Sequence, residues 1–593
     1  MKIFIKTILI SGLGLFLIFV SLLSLSSQKD IDKKLNIATL VATPGGGVVK
    51  KAVPSIDDLP LKDNPALYEN DIPDSIVYLY VTVRKGDSAN NTDHTWQEVN
   101  DYVKWAGITP LYNSVGKAEV IVQFGDEKGP LPGEVGYGET LPNATIQIRG
   151  NSTTVKPQKS YKIELRSRAG KWRGQSTINL NKQFRDITRA RNKLSFDLIK
   201  GLPNMATLRT QYVRLFVKDE TTNPPEETFV DYGLYTQVEQ PNQAYLRNHL
   251  LDEDGQLYKA TFFEFFRYPN EIRMATDPLY DEQAFSRILE IKGNQDHSKL
   301  IQMLEDVNNT GIPIEQTFEK YFDSENYFTW MAFNILVGNV DTQSQNFFLY
   351  SPRNGNKWYF LPWDYDGDLT RQFQDKYFPY DKFEFGIANY WGVPLHNRVL
   401  KVARYRHMLD AKMTEMVKYL SPDRINGMLA QYRKVTDLYT IQMPDVYYLR
   451  GSTSDYEQEY KGMVDEVQIN YDLYLESLQS PMPFFLDPPE VVEDSLAFSW
   501  GEAYDFDAED ITYLFEVATD WEFRNIVYSQ SLINQHSVRI KMLVPGTYFW
   551  RVTATNKSGK TMYPFDVYVD AENIPHSGMK YLYITPEGKV MEE

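Results

Sequence analysis

The chain has 593 residues, 42% of them hydrophobic and 14% aromatic, which is too long for one core and rich enough to fill two or three. Lys and Arg number 62 against 79 Asp and Glu, a net charge of −17, so no basic surplus exists to displace phosphate counterions and sequence-independent binding to nucleic acid is disfavoured. The absence of cysteine excludes disulfides, thiolate catalysis and Cys-ligated zinc together.

Lys2 and Lys6 precede an uncharged run over residues 7–28, rich in Ile, Leu, Phe and Val and long enough to cross a bilayer. Residues 1–28 therefore read as a signal peptide or an N-terminal membrane anchor. Small residues at 24–27 offer a cleavage site without a clear A-x-A pattern, so both readings stay open. Either way the expected location is exported: cell surface, membrane-anchored or secreted, with the N-terminal segment touching membrane. Residues 29–73, with Gly45-Gly46-Gly47, scattered Pro and no sustained periodicity, read as a linker.

The stretch 74–480 reads as one α+β body, strands first and helices later. Strands are predicted at 76–83, 118–124, 144–149, 160–166, 212–217 and 232–238. Helical spacing governs 189–199, 284–306, 315–337 and much of 395–480. Residues 481–489, PMPFFLDPP, form a Pro-rich linker, and 490–572 breaks into short alternating strands. Trp500, Tyr513 and PGTYFWRV at 545–552 resemble a fibronectin type III domain, which implies a small all-β sandwich for spacing or adhesion. The tail 573–593 has no assignment.

Chemistry concentrates at 338–369, GNVDTQSQNFFLYSPRNGNKWYFLPWDYDGDL. Two aromatic segments, 347–350 and 357–361, flank the turn residues Pro352-Arg353-Asn354-Gly355-Asn356 and predict a β-hairpin. Its outer ends carry Asp341 and Asn346 on one side, and Asp364, Asp366 and Asp368 on the other. Such crowding of like charge is costly unless a cation neutralises it, and all-oxygen donors point to Mg²⁺, Mn²⁺ or Ca²⁺. The spacing D-x-x-x-x-N of Asp341 and Asn346 is that of phosphoryl-transfer sites, where the acid faces the acceptor hydroxyl and the amide oxygen faces the metal. A calcium loop over 364–368 is the other reading, although Gly367 falls at its fourth place instead of its sixth. Upstream, Arg149, Gly150, Asn151 and Ser152 join two predicted strands, and a loop of this kind can offer backbone N–H groups to phosphate. Lys162 follows on the second strand, its neighbours Tyr161 and Ile163 facing the opposite side.

The ordered set RGNST…KPQKSYKIEL, INLNKQFRDITRARNKLSFDL, YGLYTQVEQPNQAYL, LYKA and GNVDTQSQNFFLY…FLPWDYDGDL resembles the CotH kinase family, the spore coat protein H-like atypical protein kinases, over about residues 75–440. The resemblance implies a divergent protein-kinase-like fold with a helical C-terminal part, binding ATP with Mg²⁺ (or Mn²⁺) and phosphorylating Ser or Thr of a protein. It implies Asp341 as the catalytic aspartate, Asn346 and Asp364 as metal ligands with Asp366 close by, and Lys162 with the 149–152 loop on the phosphates. It further suggests Glu239 near the adenine and a structural role for Arg191. Many family members carry a His-containing stretch between the Asp and the Asn, where this chain has Thr342-Gln343-Ser344-Gln345. Two readings compete: a non-catalytic surface or adhesion protein on a kinase-like body, and a calcium-stabilised carbohydrate binder drawing on 40 Tyr, 32 Phe and 10 Trp.

Overall fold

A computed structural model describes residues 57, 59–104, 115–370 and 381–592. The apolar N-terminal run lies outside them; among the described residues no helix is long and apolar enough to cross a membrane.

Eight strands open the fold: β1 (Ile76–Arg84), β2 (Lys117–Asp126), β3 (Gly129–Pro130), β4 (Ala144–Arg149), β5 (Ser160–Leu165), β6 (Thr177–Asn181), β7 (Thr210–Asp219) and β8 (Val230–Val238). Their order is β1-β7-β8-β6-β5-β4-β2-β3, and β1 also pairs with β2, so seven strands close into a barrel from which β3 extends. β1 and β7 run parallel. Alternation sorts the side chains: Leu79, Val81, Val120, Val122, Ile146, Tyr161, Ile163, Leu180, Val213 and Leu215 share one apolar cluster inside. The intervening residues, Gln147, Arg149, Lys162 and Glu164 among them, therefore face outward.

A second sheet, β10-β9-β11-β12, is built from β9 (Gln256–Ala260), β10 (Leu289–Ile291), β11 (Phe347–Ser351) and β12 (Tyr359–Pro362). The hairpin predicted around 352–356 is the β11–β12 pair, with Phe347 opposite Pro362 and Tyr350 opposite Tyr359. The helix Ser324–Val337 lies on this sheet, Trp330 stacking on Phe360 with ring centroids 4.3 Å apart. The outer edge of β12 is closed by a buried side chain. Phe360 N donates to Asn326 Oδ1 at 2.7 Å and Asn326 Nδ2 donates to Phe360 O at 3.1 Å, an amide standing in for a neighbouring strand. The two long helices expected at 284–306 and 315–337 are each split. Leu289–Ile291 leaves the first to pair with β9, and Asp323 caps a new helix by accepting from Asn326 N at 2.7 Å.

Buried ion pairs join the barrel to the helical part. Lys182 Nζ lies 2.7 Å from Asp445 Oδ1, and Asp445 also accepts from Leu234 N at 2.7 Å. Arg191 Nη1 sits between Asp186 at 2.6 Å and Glu459 at 2.7 Å, all three side chains at most 3% exposed.

Beyond residue 486, a three-stranded sheet (Glu490–Val492, Ser495–Ser499, Ser537–Lys541) and a larger one around Thr512–Ala518 and Gly546–Thr555 enclose a core of Phe498, Trp500, Tyr513, Phe515 and Trp550. Three boundaries differ from those the sequence suggests. Residues 481–489 are packed and do not form a free linker, since Met482, Phe484 and Leu486 are buried. Met579–Ile584, within the unassigned tail, is a strand paired with Gly546–Thr555. The 29–73 linker ends early, because Leu61 already belongs to the main core and Leu61–Glu593 forms one unit.

Candidate active site

Both ends of the hairpin are set by backbone conformations that few side chains tolerate. Asn346, just before β11, has φ 60°, and Asp364, two residues past β12, has φ 58°. Asn and Asp are the non-glycine residues best suited to this left-handed region, and such strain persists where the surroundings over-determine it. The surroundings do so here. Gly338, at φ 69°, ends the helix Ser324–Val337 and turns the chain into the acid loop, and a Cβ there would meet Asn470 Nδ2 at 2.9 Å. Asn339 Nδ2 then donates to Asp364 O at 3.2 Å, tying the two ends together. Thr342 Oγ1 bonds Tyr390 OH at 2.7 Å, and Asn389 Nδ2 holds Val340 O at 2.9 Å.

This framework brings Asp341, Asp364 and Asp366 into one electrostatic field. Asp341 keeps solvent exposure, yet crowding by protein and the charge of Asp364 raise it above the ordinary carboxylate value, partly offset by Arg185. Burial pushes Asp366 up to about 8, and Asp364, Asp186 and Asp341 add to that. Burial draws the Arg149 guanidinium down to about 10 against the pull of Asp364 and Asp366, and it lies 5.9 Å from the Trp363 ring centroid. Arg149 thus stands at the acid cluster. It ends β4, and Gly150 at φ 98° turns the chain away, a geometry in which a Cβ would meet Thr153 Oγ1 at 2.2 Å. Asn151 is exposed beside it, and Ser152 opens the short 3₁₀ turn Ser152–Val155.

Asp368 does not join the open acids. It is buried, accepts a hydrogen bond from Ser195 Oγ, and is pushed well up by burial. Its position speaks against a calcium loop using alternate residues of 364–368. Lys162 faces outward as expected, but its amine is 2.7 Å from Glu164, two residues along the same face, and Glu164 also meets Lys117 at 3.3 Å.

Glu239 is a correction. It is 1% exposed, holds Arg209 through both carboxylate oxygens and lies 2.9 Å from His249 Nε2, so it is sealed in a structural network and not available to a nucleotide base. Burial would raise it, but the hydrogen bonds from His249 and Arg209 prevail and lower it to about 2. Burial likewise opposes the charged His249 ring, while Asp63 at 2.5 Å and Glu239 raise it above its ordinary value. A raised histidine contributes stability in full below its unfolded value of 6.5 and loses it as pH climbs through the folded value. Glu239 contributes above its unfolded value and loses it only in strong acid. His249→Gln is therefore expected to cost more stability at about pH 6 than at about pH 9 in urea unfolding, and equal losses would contradict a charged ring.

The sequence reading passed over Asp186 and Arg185. Asp186 is buried, accepts from Thr188 N at 2.9 Å and Arg191 N at 3.0 Å, and its charge acts on Asp366 and Asp368. Arg191 and Asn192 support the far end of the acid segment: Arg191 Nε donates to Leu369 O at 3.4 Å and Tyr365 N to Asn192 Oδ1 at 3.4 Å. The role expected of Arg191 is thus the one its contacts describe.

Among the described residues, no three His, Cys, Asp or Glu side chains form a ready metal cage. The donor set still suits a hard divalent ion of the Mg²⁺ kind, which binds one or two carboxylates and completes its shell with phosphates and water. The elevated proton affinity of Asp366 marks charge that such an ion would neutralise.

Among known proteins, the CotH kinase protein family profile matches residues 146–473, more than half of the chain. Inner spore coat protein H of Bacillus subtilis (strain 168) is 22% identical over 317 residues, covering 52% of this chain and 80% of that protein. A chain of the Shewanella oneidensis MR-1 toxin–antitoxin complex of HipA, HipB and operator DNA matches at 12% identity and a TM-score of 0.23, over 51% of this chain and 58% of its own length. That score is too low to speak for a shared fold. The profile match takes in the barrel strands from β4 onward, the hairpin with its acids and the helices behind them; the chain belongs to the CotH kinase protein family.

Proposed function

We propose that this chain is an ATP-dependent protein kinase that moves the γ-phosphoryl group to a Ser or Thr hydroxyl of a protein acceptor. The observation that carries the reading is the shared charge field of Asp341, Asp364 and Asp366 at the end of one hairpin, open to solvent through Asp341. Asn346 and Asp364, with Asp366 beside them, would hold Mg²⁺ or Mn²⁺, which when bound supplies positive charge to the β- and γ-phosphates. Asp341 orients the acceptor hydroxyl and takes its proton as the new O–P bond forms and the bond from the γ-phosphorus to the β–γ bridging oxygen breaks, leaving ADP. In this reading Arg149 and the 150–152 backbone would meet phosphate, and Lys162 would steady it from the barrel wall. Likeness to an inner spore coat protein of Bacillus subtilis supports a place in a surface layer, as does the apolar N-terminal run. We read the C-terminal sheets as fibronectin type III-like, on the strength of their Trp500, Tyr513 and Trp550 core.

The test is the melting temperature of the full chain with ATP, with and without Mg²⁺, repeated on Asp364→Ala. ATP with Mg²⁺ is expected to stabilise the wild type, and Asp364→Ala to lose the Mg²⁺-dependent part. Because a cation competes with the proton on Asp366, that part should grow between about pH 7 and about pH 9. A wild type that gains nothing from ATP and passes no labelled phosphate to itself or to a Ser-rich acceptor would leave the non-catalytic surface protein as the better reading.

A further inference from the structure

The acid cluster is approached by cations from two directions. Arg149 acts on Asp364 and Asp366, at the end of the hairpin where the metal ligands lie. Arg185 acts on Asp341 and Asp366, and its segment is seated on the acid segment after β12, Arg191 Nε donating to Leu369 O and Tyr365 N to Asn192 Oδ1, each at 3.4 Å. Two further arginines come near, but both are committed. Arg189 is buried and donates to Gln183 O and Asp186 O, and Arg191 is locked between Asp186 and Glu459. Arg185 is exposed and makes no ion pair among the described residues.

The turn beneath Arg185 is fixed, while its side chain is not. Asp186 N donates to Gln183 O at 3.0 Å, Gln183 and Arg189 take φ 49° and 57°, and the Asp186 carboxylate gathers Thr188 N, Thr188 Oγ1 and Arg191 N. The backbone at 185 is therefore fixed by its own turn, while the exposed guanidinium makes no ion pair among the described residues. A planar guanidinium suits the non-bridging oxygens of a phosphoryl group, and charge on those oxygens is what a transfer site must stabilise. Asp341 and Asp366 are the acids on which the Arg185 charge acts; with a divalent ion neutralising the inner acids, the γ-phosphoryl group would become its strongest partner.

Resting on the kinase reading above, we propose that Arg185 binds the γ-phosphoryl group on the Asp341 side and stabilises its oxygens as it passes to the acceptor hydroxyl. Its exposure, its lack of an ion pair among the described residues and the seating of its segment on the acid segment assign it this part.

ATP differs from ADP by the group in question, so the two nucleotides separate the proposal from a general structural role. Melting shifts of the full chain with Mg²⁺ would be measured with ATP and with ADP for the wild type, Arg185→Ala and Arg185→Lys. The expected result is a larger shift with ATP than with ADP in the wild type. Arg185→Ala should lose that excess and keep the wild-type ADP shift, and Arg185→Lys should recover part of it. The transfer rate of Arg185→Ala should fall by about 10²–10³, as when one positioned transition-state donor is removed. An ATP excess that survives in Arg185→Ala, or equal loss of both nucleotides, overturns the role of Arg185 and leaves the kinase reading standing. A wild type stabilised by neither nucleotide overturns both.

Discussion

Asp341→Asn is expected to lower phosphoryl transfer to a protein acceptor by about 10²–10⁴, the range a positioned general base contributes, while the Mg²⁺–ATP melting shift persists. The substitution keeps the shape of the side chain, and the 340–343 turn that carries it is held by Asn339, Thr342, Asn389 and Tyr390 rather than by the carboxylate. What it removes is the carboxylate oxygen that, in the proposed reaction, would accept the hydroxyl proton. It also removes one like charge beside Asp364, so the metal-free variant should unfold no more readily than the wild type. The wild-type rate should fall as pH drops through the raised value of Asp341, since only the ionised acid can accept a proton. Single-turnover transfer of labelled phosphate decides the matter: a variant retaining most of the rate would remove Asp341 from the chemistry.

Arg191→Ala is expected to be the most damaging single change to stability, by about 3–5 kcal/mol, because it strands two buried carboxylates rather than merely deleting a contact. Asp186 and Glu459 lie 2.6 and 2.7 Å from the guanidinium, and neither has a route to water. Burial already raises Glu459, and without Arg191 it would have to take up a proton to fold. The same residue supports Leu369 O, so the acid segment after β12 would loosen with it. Urea unfolding of Arg191→Ala and Arg191→Lys measures this; a loss below about 1 kcal/mol in Arg191→Ala would mean that the pair of acids is relieved in some other way.

What the sequence discloses is largely local. The hairpin is readable because aromatic strands flank a Pro-Asn-Gly turn, and its register delivers Asn346 and Asp364 to one end without further information. The outward face of Lys162 follows from alternation, and the same period of two places Glu164 beside it, a partner that could have been read and was not. Closure of the barrel could not be read, because the β1–β7 pairing joins segments more than a hundred residues apart. Glu239 misleads for the same reason: nothing near it in the chain announces Arg209 or Asp63. Arg185 and Asp186 stand inside the segment NKQFRDITRARN, yet a lone turn arginine carries no periodicity or motif of its own. Their bearing on Asp341 and Asp366 exists only in three dimensions.

The packed stretch 481–489 has a mechanical consequence. Phe383 meets Phe565 at 5.2 Å between ring centroids, Trp391 meets Tyr504 at 5.4 Å, and Lys560 reaches Glu476 at 3.0 Å. The C-terminal sheets are thereby bolted to the body that carries the hairpin and cannot swing like a tethered adaptor. Anything that grasps those sheets is therefore held at one fixed reach and bearing from the acids at the hairpin's end.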